Sequence, residues 1–233
     1  MAANSTNGEV QKSNYLDSIS GIIKQDQDNQ GQKVAQLYDD WTTSYDKDLE
    51  KLNYRGPLKV ASILAEFSDS KDIKVLDCGC GTGLVGEALK DAGFTNVSAV
   101  DISQKSLDIA EKKGIYQKLV CDEVGKECMP FIDNEFDALV CIGCVGPSHI
   151  SPVAFREWAR IVKPGGVTVF SVRHCYLRVT QGEEELHSER FAENFNEMLE
   201  ELRSTKKMEL MSKTDVPNFM GTTAACIYAM KVL

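Results

Sequence analysis

The run Val75-Leu76-Asp77-Cys78-Gly79-Cys80-Gly81-Thr82-Gly83-Leu84 holds the densest chemistry in the chain. It reads as a strand, a glycine turn and the start of a helix. Three glycines at alternate positions let the backbone pass close to a ligand, where side chains would collide. The helix that follows offers unpaired amides at its N-terminus. Asp101, twenty residues beyond Gly81, closes the strand-like run Val97–Asp101. A carboxylate at that place accepts hydrogen bonds from ribose hydroxyls. Together the two features imply an adenosine-bearing cofactor at the C-terminal ends of the strands.

Two cofactor classes compete. Gly81-Thr82-Gly83-Leu84-Val85-Gly86 matches the dinucleotide fingerprint G-x-G-x-x-G, which keeps an NAD-dependent oxidoreductase open. A dehydrogenase sets its first glycine almost directly after the strand, whereas here Asp77 ends the strand and Cys78-Gly79-Cys80 intervene. A buried acid at the start of the loop is unfavourable beside a pyrophosphate. It suits a ligand with an ammonium and a sulfonium, so the residues favour S-adenosylmethionine.

The elements that must position these residues follow from the hydrophobic pattern. Val34, Leu37, Tyr38, Trp41 and Tyr45 form one helical stripe, and Pro57 opens a second helix through about Phe67. Strands are expected at 73–78, 97–101, 115–121, 136–142 and 167–172, and helices at 84–92, 104–113 and 153–162. Strands alternating with helices of about ten residues mean a parallel sheet covered on both faces. A long amphipathic helix carries Phe191, Phe195, Met198, Leu199 and Leu202. Two last strands, about 207–214 and 224–232, are joined by a loop containing Pro217 and Gly221 and pair antiparallel. Residues 1–30 read as a polar arm, and 31–233 as one α/β domain with a helical lid over 31–68.

His149 and His174, on the loops after the fourth and fifth strands, are the candidate general bases, since each can titrate near neutrality. Cys144 and Cys175 follow the same two strands, so both thiols could face the substrate opening and take a soft ion. Similarity to arsenite methyltransferases, which hold trivalent arsenic on thiols in comparable places, is what would make that ion arsenic. The pairs Cys78-x-Cys80 and Cys141-x-x-Cys144 do not read as a zinc site, because the first belongs to the glycine loop and the second ends a strand. Tyr176 could orient an acceptor, and Trp158 reads as core.

Composition narrows the rest. The chain has 233 residues, 26 basic and 35 acidic, a net charge of −9 and a pI near 4.9. Such a surface disfavours sequence-independent binding to nucleic acid or to an anionic membrane. A secretory leader and a membrane span are not expected. Eight cysteines in mostly apolar runs read as reduced thiols of a cytoplasmic protein. Oligomeric state is left open.

With these residues in view, the chain resembles the class I S-adenosylmethionine-dependent methyltransferases over about residues 34–233. Val75–Gly83 looks like their first motif, Ala99–Ser103 like their acidic second motif, and Phe136–Gly143 like their fourth strand. FREWARIVKPGG, Phe155–Gly166, looks like the helix and turn before their fifth. More narrowly, Tyr38–Asp46, Tyr54-Arg55-Gly56-Pro57 and Gly143–His149 are similar to the Williams–Beuren-region methyltransferase-like proteins. The resemblance implies a Rossmann-like three-layer sandwich with a seven-stranded, mostly parallel sheet whose last strand is antiparallel. The resemblance brings no settled substrate; the expected function is methyl transfer to a small molecule, with the acceptor atom, O, N, S or As, left open.

Residue roles are carried over on the same basis. Gly79 and Gly81 would lie against the cofactor's methionine moiety, with Cys80, Thr82 and Gly83 completing the loop. Asp77 would hold the loop or the cofactor ammonium through water. Asp101 would bind the ribose, Ile102 the adenine face and Asp122 the adenine amino group. Cys141 and Ile142 would line the methionine side. Tyr45 and Arg55 look like parts of the lid, with Arg55 pairing the cofactor carboxylate. Against this reading stand the oxidoreductase, the thiol-assisted arsenite methyltransferase, and a non-catalytic module that keeps the cofactor fold to bind a partner.

Overall fold

A computed structural model describes residues 30–125, 128–147, 149–177 and 185–233. In order, its elements are α1 (Gln30–Lys51), α2 (Gly56–Phe67), β1 (Val75–Cys78), α3 (Leu84–Asp91), β2 (Val97–Asp101), α4 (Gln104–Lys112), β3 (Lys118–Cys121), β4 (Phe136–Val145), α5 (Ala154–Ile161), β5 (Val162–Arg173), α6 (Glu185–Ser204), β6 (Met208–Met220) and β7 (Thr223–Val232). A single 3₁₀ turn, His174–Tyr176, follows β5. The polar arm expected over 1–30 lies, Gln30 apart, outside the described residues, as does 178–184.

All seven strands form one sheet in the order β3-β2-β1-β4-β5-β7-β6. β1 to β5 pair in parallel, and β7 runs antiparallel to both neighbours. β1 and β2 are buried along their whole length, as a strand covered by helices on both faces must be. On one face Val60, Leu64 and Leu89 of α2 and α3 pack on Val140 and Val169. On the other, Phe155, Trp158 and Phe195 of α5 and α6 pack on Leu139 and Phe170. The result is a three-layer α/β sandwich with Trp158 fully buried in its core.

β1 and β3 start two and three residues later than expected, and three strands run beyond their expected bounds. β5 starts at Val162 and carries Lys163-Pro164-Gly165-Gly166 within it, where a turn before the strand was expected. β6 runs to Met220 through Pro217, which was expected to lie in a loop. β6 is an edge strand, where a missing N–H is tolerated, and its register with β7 shifts between Val216 and Met220. β4 runs three residues past Ile142 because it bulges. Its register against β5 jumps from Cys141↔Phe170 to Val145↔Val172.

The order reverses between β1 and β4, which sit side by side although the chain travels outward to β2 and β3 first. That reversal opens a crevice at the C-terminal ends of the strands, the place where open α/β sheets bind ligands.

Candidate cofactor cleft

The loop after β1 is shaped by backbone geometry. Gly79, Gly81 and Gly83 all take positive φ (73°, 53° and 94°), a region that side chains with a Cβ avoid. The amides of Gly79 and Cys80 donate to the Val100 carbonyl, at 2.8 and 3.2 Å. A Cβ on Gly81 would meet no atom within 4 Å, so this glycine faces the cleft itself. Asp101 ties the loop to β2: Oδ2 accepts from the Gly81 amide at 2.8 Å, and Oδ1 from the Ser103 amide at 2.9 Å. Burial raises its carboxyl above the usual carboxylate range, against the pull of those amides.

The bulge in β4 supplies the opposite wall. Extra residues in a strand re-aim side chains, and here Ile142, Gly143 and Cys144 turn into the cleft. Gly143 has φ 81° and donates to Ser171 Oγ at 2.9 Å. A Cβ there would come within 2.7 Å of the Tyr54 hydroxyl. The Cys144 thiol lies 3.3 Å from the Gly79 carbonyl oxygen.

Helix α1 closes the top. Val34, Tyr38, Thr42 and Tyr45, spaced three and four apart, present one helix face to the cleft. Polar contacts hold the helix there. Ser103 Oγ donates to Asp39 at 2.6 Å, and Thr82 Oγ1 donates to Asp46. Lys113 Nζ bridges Asp46 and Glu87 at 2.9 and 2.8 Å. At the far end Tyr38 Oη meets His149 Nε2 at 3.0 Å. His149 Nδ1 lies 3.1 Å from the Pro147 carbonyl, an arrangement that puts the proton on Nδ1 and leaves Nε2 to accept from Tyr38. Burial lowers the His149 pKa, helped by the Arg173 charge, so the ring is neutral at pH 7. Burial raises the phenols of Tyr38, Tyr45 and Tyr54, which keeps them donors.

The cleft so formed is open at its mouth, with about 1000 Å³ of space between its walls and the solvent beyond. Tyr45, Gly79, Cys80, Gly81, Thr82, Asp101, Ile102, Ile142 and His149 line it. Other expected residues sit elsewhere. Glu123 and Val124 take the wall place expected for Asp122. Cys141 is fully buried in the sheet, one residue before the bulge. Gly83 caps α3 behind the loop. Arg55 is exposed at the start of α2 and outside the wall; its backbone amide donates to the Phe219 carbonyl at 2.9 Å. His174 turns toward Asp215 and Cys226 on the sheet. Of the two thiols considered for arsenic, Cys144 is on the wall and Cys175 is exposed on the 3₁₀ turn.

Asp77 lies beneath the loop, fully buried. Its Oδ2 accepts from Tyr116 Oη at 2.6 Å, while Oδ1 has no hydrogen-bond partner. Burial, aided by the Asp101 charge, pushes its carboxyl up to about 7. An acid with an unsatisfied oxygen beneath an open glycine cradle fits a cationic ligand and opposes a pyrophosphate. The third glycine of the apparent dinucleotide fingerprint has a packing role instead. A Cβ on Gly86 would fall 2.4 Å from the Tyr116 ring.

A family profile described as a methyltransferase domain matches residues 76–170, the stretch that builds the glycine loop, the β2 carboxylate and the β4 bulge. Over these residues the chain is similar to a methyltransferase domain. The chain is 33% identical over 139 residues to methyltransferase-like protein 27 of Homo sapiens, covering 59% of this chain and 56% of the relative. It is 30% identical over 140 residues to the malonyl-[acyl-carrier protein] O-methyltransferase of Erwinia pyrifoliae, covering 60% of this chain and 51% of that one. The chain thus spans little more than half the length of these relatives. In fold it is similar to geranyl diphosphate C-methyltransferase from Streptomyces coelicolor, solved with magnesium, geranyl diphosphate and S-adenosylhomocysteine. That likeness has a TM-score of 0.60 at 14% identity and covers 82% of this chain and 84% of that one.

Sequence reasoning missed two groups at this site. Tyr38 and Thr42 were legible only as part of the α1 stripe, whose periodicity gives a face without saying what the face meets. Arg173 ends an otherwise apolar strand and carried no motif. Its guanidinium carbon lies 5.7 Å from the Tyr176 ring centroid, within electrostatic reach of Tyr38 and Tyr54. Among the described residues it forms no ion pair. No helix among them is long and apolar enough to cross a membrane.

Proposed function

We propose that the protein transfers a methyl group from S-adenosylmethionine to a small-molecule acceptor by direct displacement. The observation that carries this is the cleft floor: an open glycine cradle whose Gly81 amide is held by Asp101, above a buried acid with an unsatisfied oxygen. When bound, the cofactor supplies an electrophilic methyl on a good leaving group. Asp101 and Ile102 would meet its ribose and adenine, and Gly79 and Gly81 its methionine part. Ile142, Gly143 and Cys144 would form the wall beside the methionine side.

What the side chains must do is modest, since in-line positioning provides much of the rate. His149 Nε2, neutral and hydrogen-bonded to Tyr38, is the residue suited to take a proton from an acceptor hydroxyl or amine. Arg173, rather than the exposed Arg55, is the cation able to face an anionic group at this end of the cleft. A small-molecule acceptor is supported by the enclosure under α1 and by relatives named as O-methyltransferases of ubiquinone biosynthesis. A cytoplasmic setting is part of the same proposal, supported by the buried thiols Cys78, Cys80, Cys141 and Cys226.

The test is formation of S-adenosylhomocysteine from S-adenosylmethionine over a panel of carboxylic acids, phenols, amines, thiols and arsenite. Acceptor-dependent product is expected. With the best acceptor, His149→Ala should lower kcat about 100-fold or more while S-adenosylhomocysteine affinity stays within about twofold. Unchanged kcat in the variant would remove His149 as the base. Absence of product with every acceptor, despite cofactor binding, would favour the non-catalytic module.

A further inference from the structure

His174, Asp215 and Cys226 come from three separate stretches of chain, and the sheet register brings them to one place. Cys226 of β7 stands opposite Val172 of β5 on one side and Asp215 of β6 on the other. Residues directly opposite in a sheet share a face. His174 lies two residues beyond Val172 and, by the period of two, continues the same face. The three donor atoms make a nearly equilateral triangle: Nε2 to Oδ1 is 3.0 Å, Nε2 to Sγ 3.1 Å, and Sγ to Oδ1 3.0 Å. None of the three lines the cofactor cleft.

We propose that this trio binds a thiophilic divalent cation, zinc being the best match. One imidazole nitrogen, one sulfur and one carboxylate oxygen form a donor set that suits zinc and is wrong for calcium or magnesium, which take oxygen. Tetrahedral zinc with arms of about 2.0 to 2.3 Å needs ligand separations of about 3.3 to 3.7 Å. The triangle seen here therefore has to open by only a few tenths of an ångström. The orientation of Asp215 supports the assignment. Its side chain is 69% exposed, yet the carboxylate turns inward onto a buried thiol rather than out to water. Tyr228, two residues beyond Cys226, stacks at 5.4 Å on Phe170 and supports this face of the sheet. Three protein ligands leave the fourth coordination position to water or to an exogenous ligand. The cysteine pairs examined from sequence spacing play no part in it.

Calorimetric titration of zinc chloride into the reduced full-length protein, paired with cobalt(II) absorption spectra, tests the site. One equivalent is expected to bind, with a thiolate-to-cobalt charge-transfer band. Asp215→Asn alters an exposed side chain, so the fold is retained, and it should weaken zinc binding at least tenfold. His174→Ala should do the same, and Cys226→Ser should remove the band. Lack of saturable binding would overturn the proposal. So would affinity unchanged in Asp215→Asn and His174→Ala, or a band that survives Cys226→Ser, since either would put the metal on other cysteines.

Discussion

Replacing Asp101 by alanine is expected to weaken S-adenosylhomocysteine binding about ten- to a hundredfold, measured by calorimetry. A hydrogen bond to a charged group contributes about 1.5–3 kcal/mol, and about 1.4 kcal/mol is a factor of ten in affinity. Asp101 also holds the Gly81 and Ser103 amides, so the substitution frees the loop as well as removing the ribose acceptor. Asp101→Asn separates the two effects, because it keeps one acceptor for a backbone amide and loses the charge. A smaller loss of affinity is expected in Asn than in Ala. Equal affinity of Asp101→Ala and the parent would take Asp101 out of the cofactor site.

Asp77→Asn should act in opposite directions on stability and on binding. Burial raises the Asp77 carboxyl to about 7 in the folded chain, against about 3.9 for an unperturbed Asp. A group raised on folding contributes stability that is complete below its unfolded pKa and is lost as pH rises through the folded one. The ligand-free parent should therefore lose stability between about pH 4 and pH 7 relative to Asp77→Asn, by an amount on the order of a few kcal/mol. At pH 8 the variant should melt higher. It should also bind S-adenosylhomocysteine more weakly, because the carboxylate that offsets the ligand's ammonium is gone. For the parent, affinity should rise as pH increases through about 7, since the ligand's ammonium prefers ionised Asp77 and binding expels its proton. Parallel melting curves for parent and variant from pH 5 to 8 would contradict this account of the buried acid.

Much of the scaffold was legible because the chain repeats a simple physical unit. Short apolar runs ending in Asp or Cys and followed by helices stopped by Gly93 and Gly114 specify a parallel sheet, and β2 falls at its expected bounds, Val97–Asp101. Where backbone irregularity serves position rather than pattern, the sequence was less informative. Pro217 signals a loop in any composition-based reading, yet an edge strand absorbs it at a shift of register. The β4 bulge has no sequence mark beyond Gly143, although it decides that Ile142, Gly143 and Cys144 reach the cleft while Cys141 stays in the core. In the site, the spacing of the glycines and of Asp101 was enough to bring them together at the cleft, with the glycines at positive φ and Asp101 holding the Gly81 amide. Arg55 stands outside the cleft wall, and its place before a helix carried no information about side-chain direction. Tyr38, Arg173 and the Asp215–Cys226 contact depend on tertiary placement across distant segments, and no local spacing encodes them.

The most direct measurement is a calorimetric titration of S-adenosylhomocysteine into the purified, reduced protein, with NADH as the paired ligand. Saturable one-to-one binding of S-adenosylhomocysteine and no heat from NADH is the predicted result. Binding of NADH alone would contradict the methyl-transfer reading at its root, while leaving the seven-stranded fold in place.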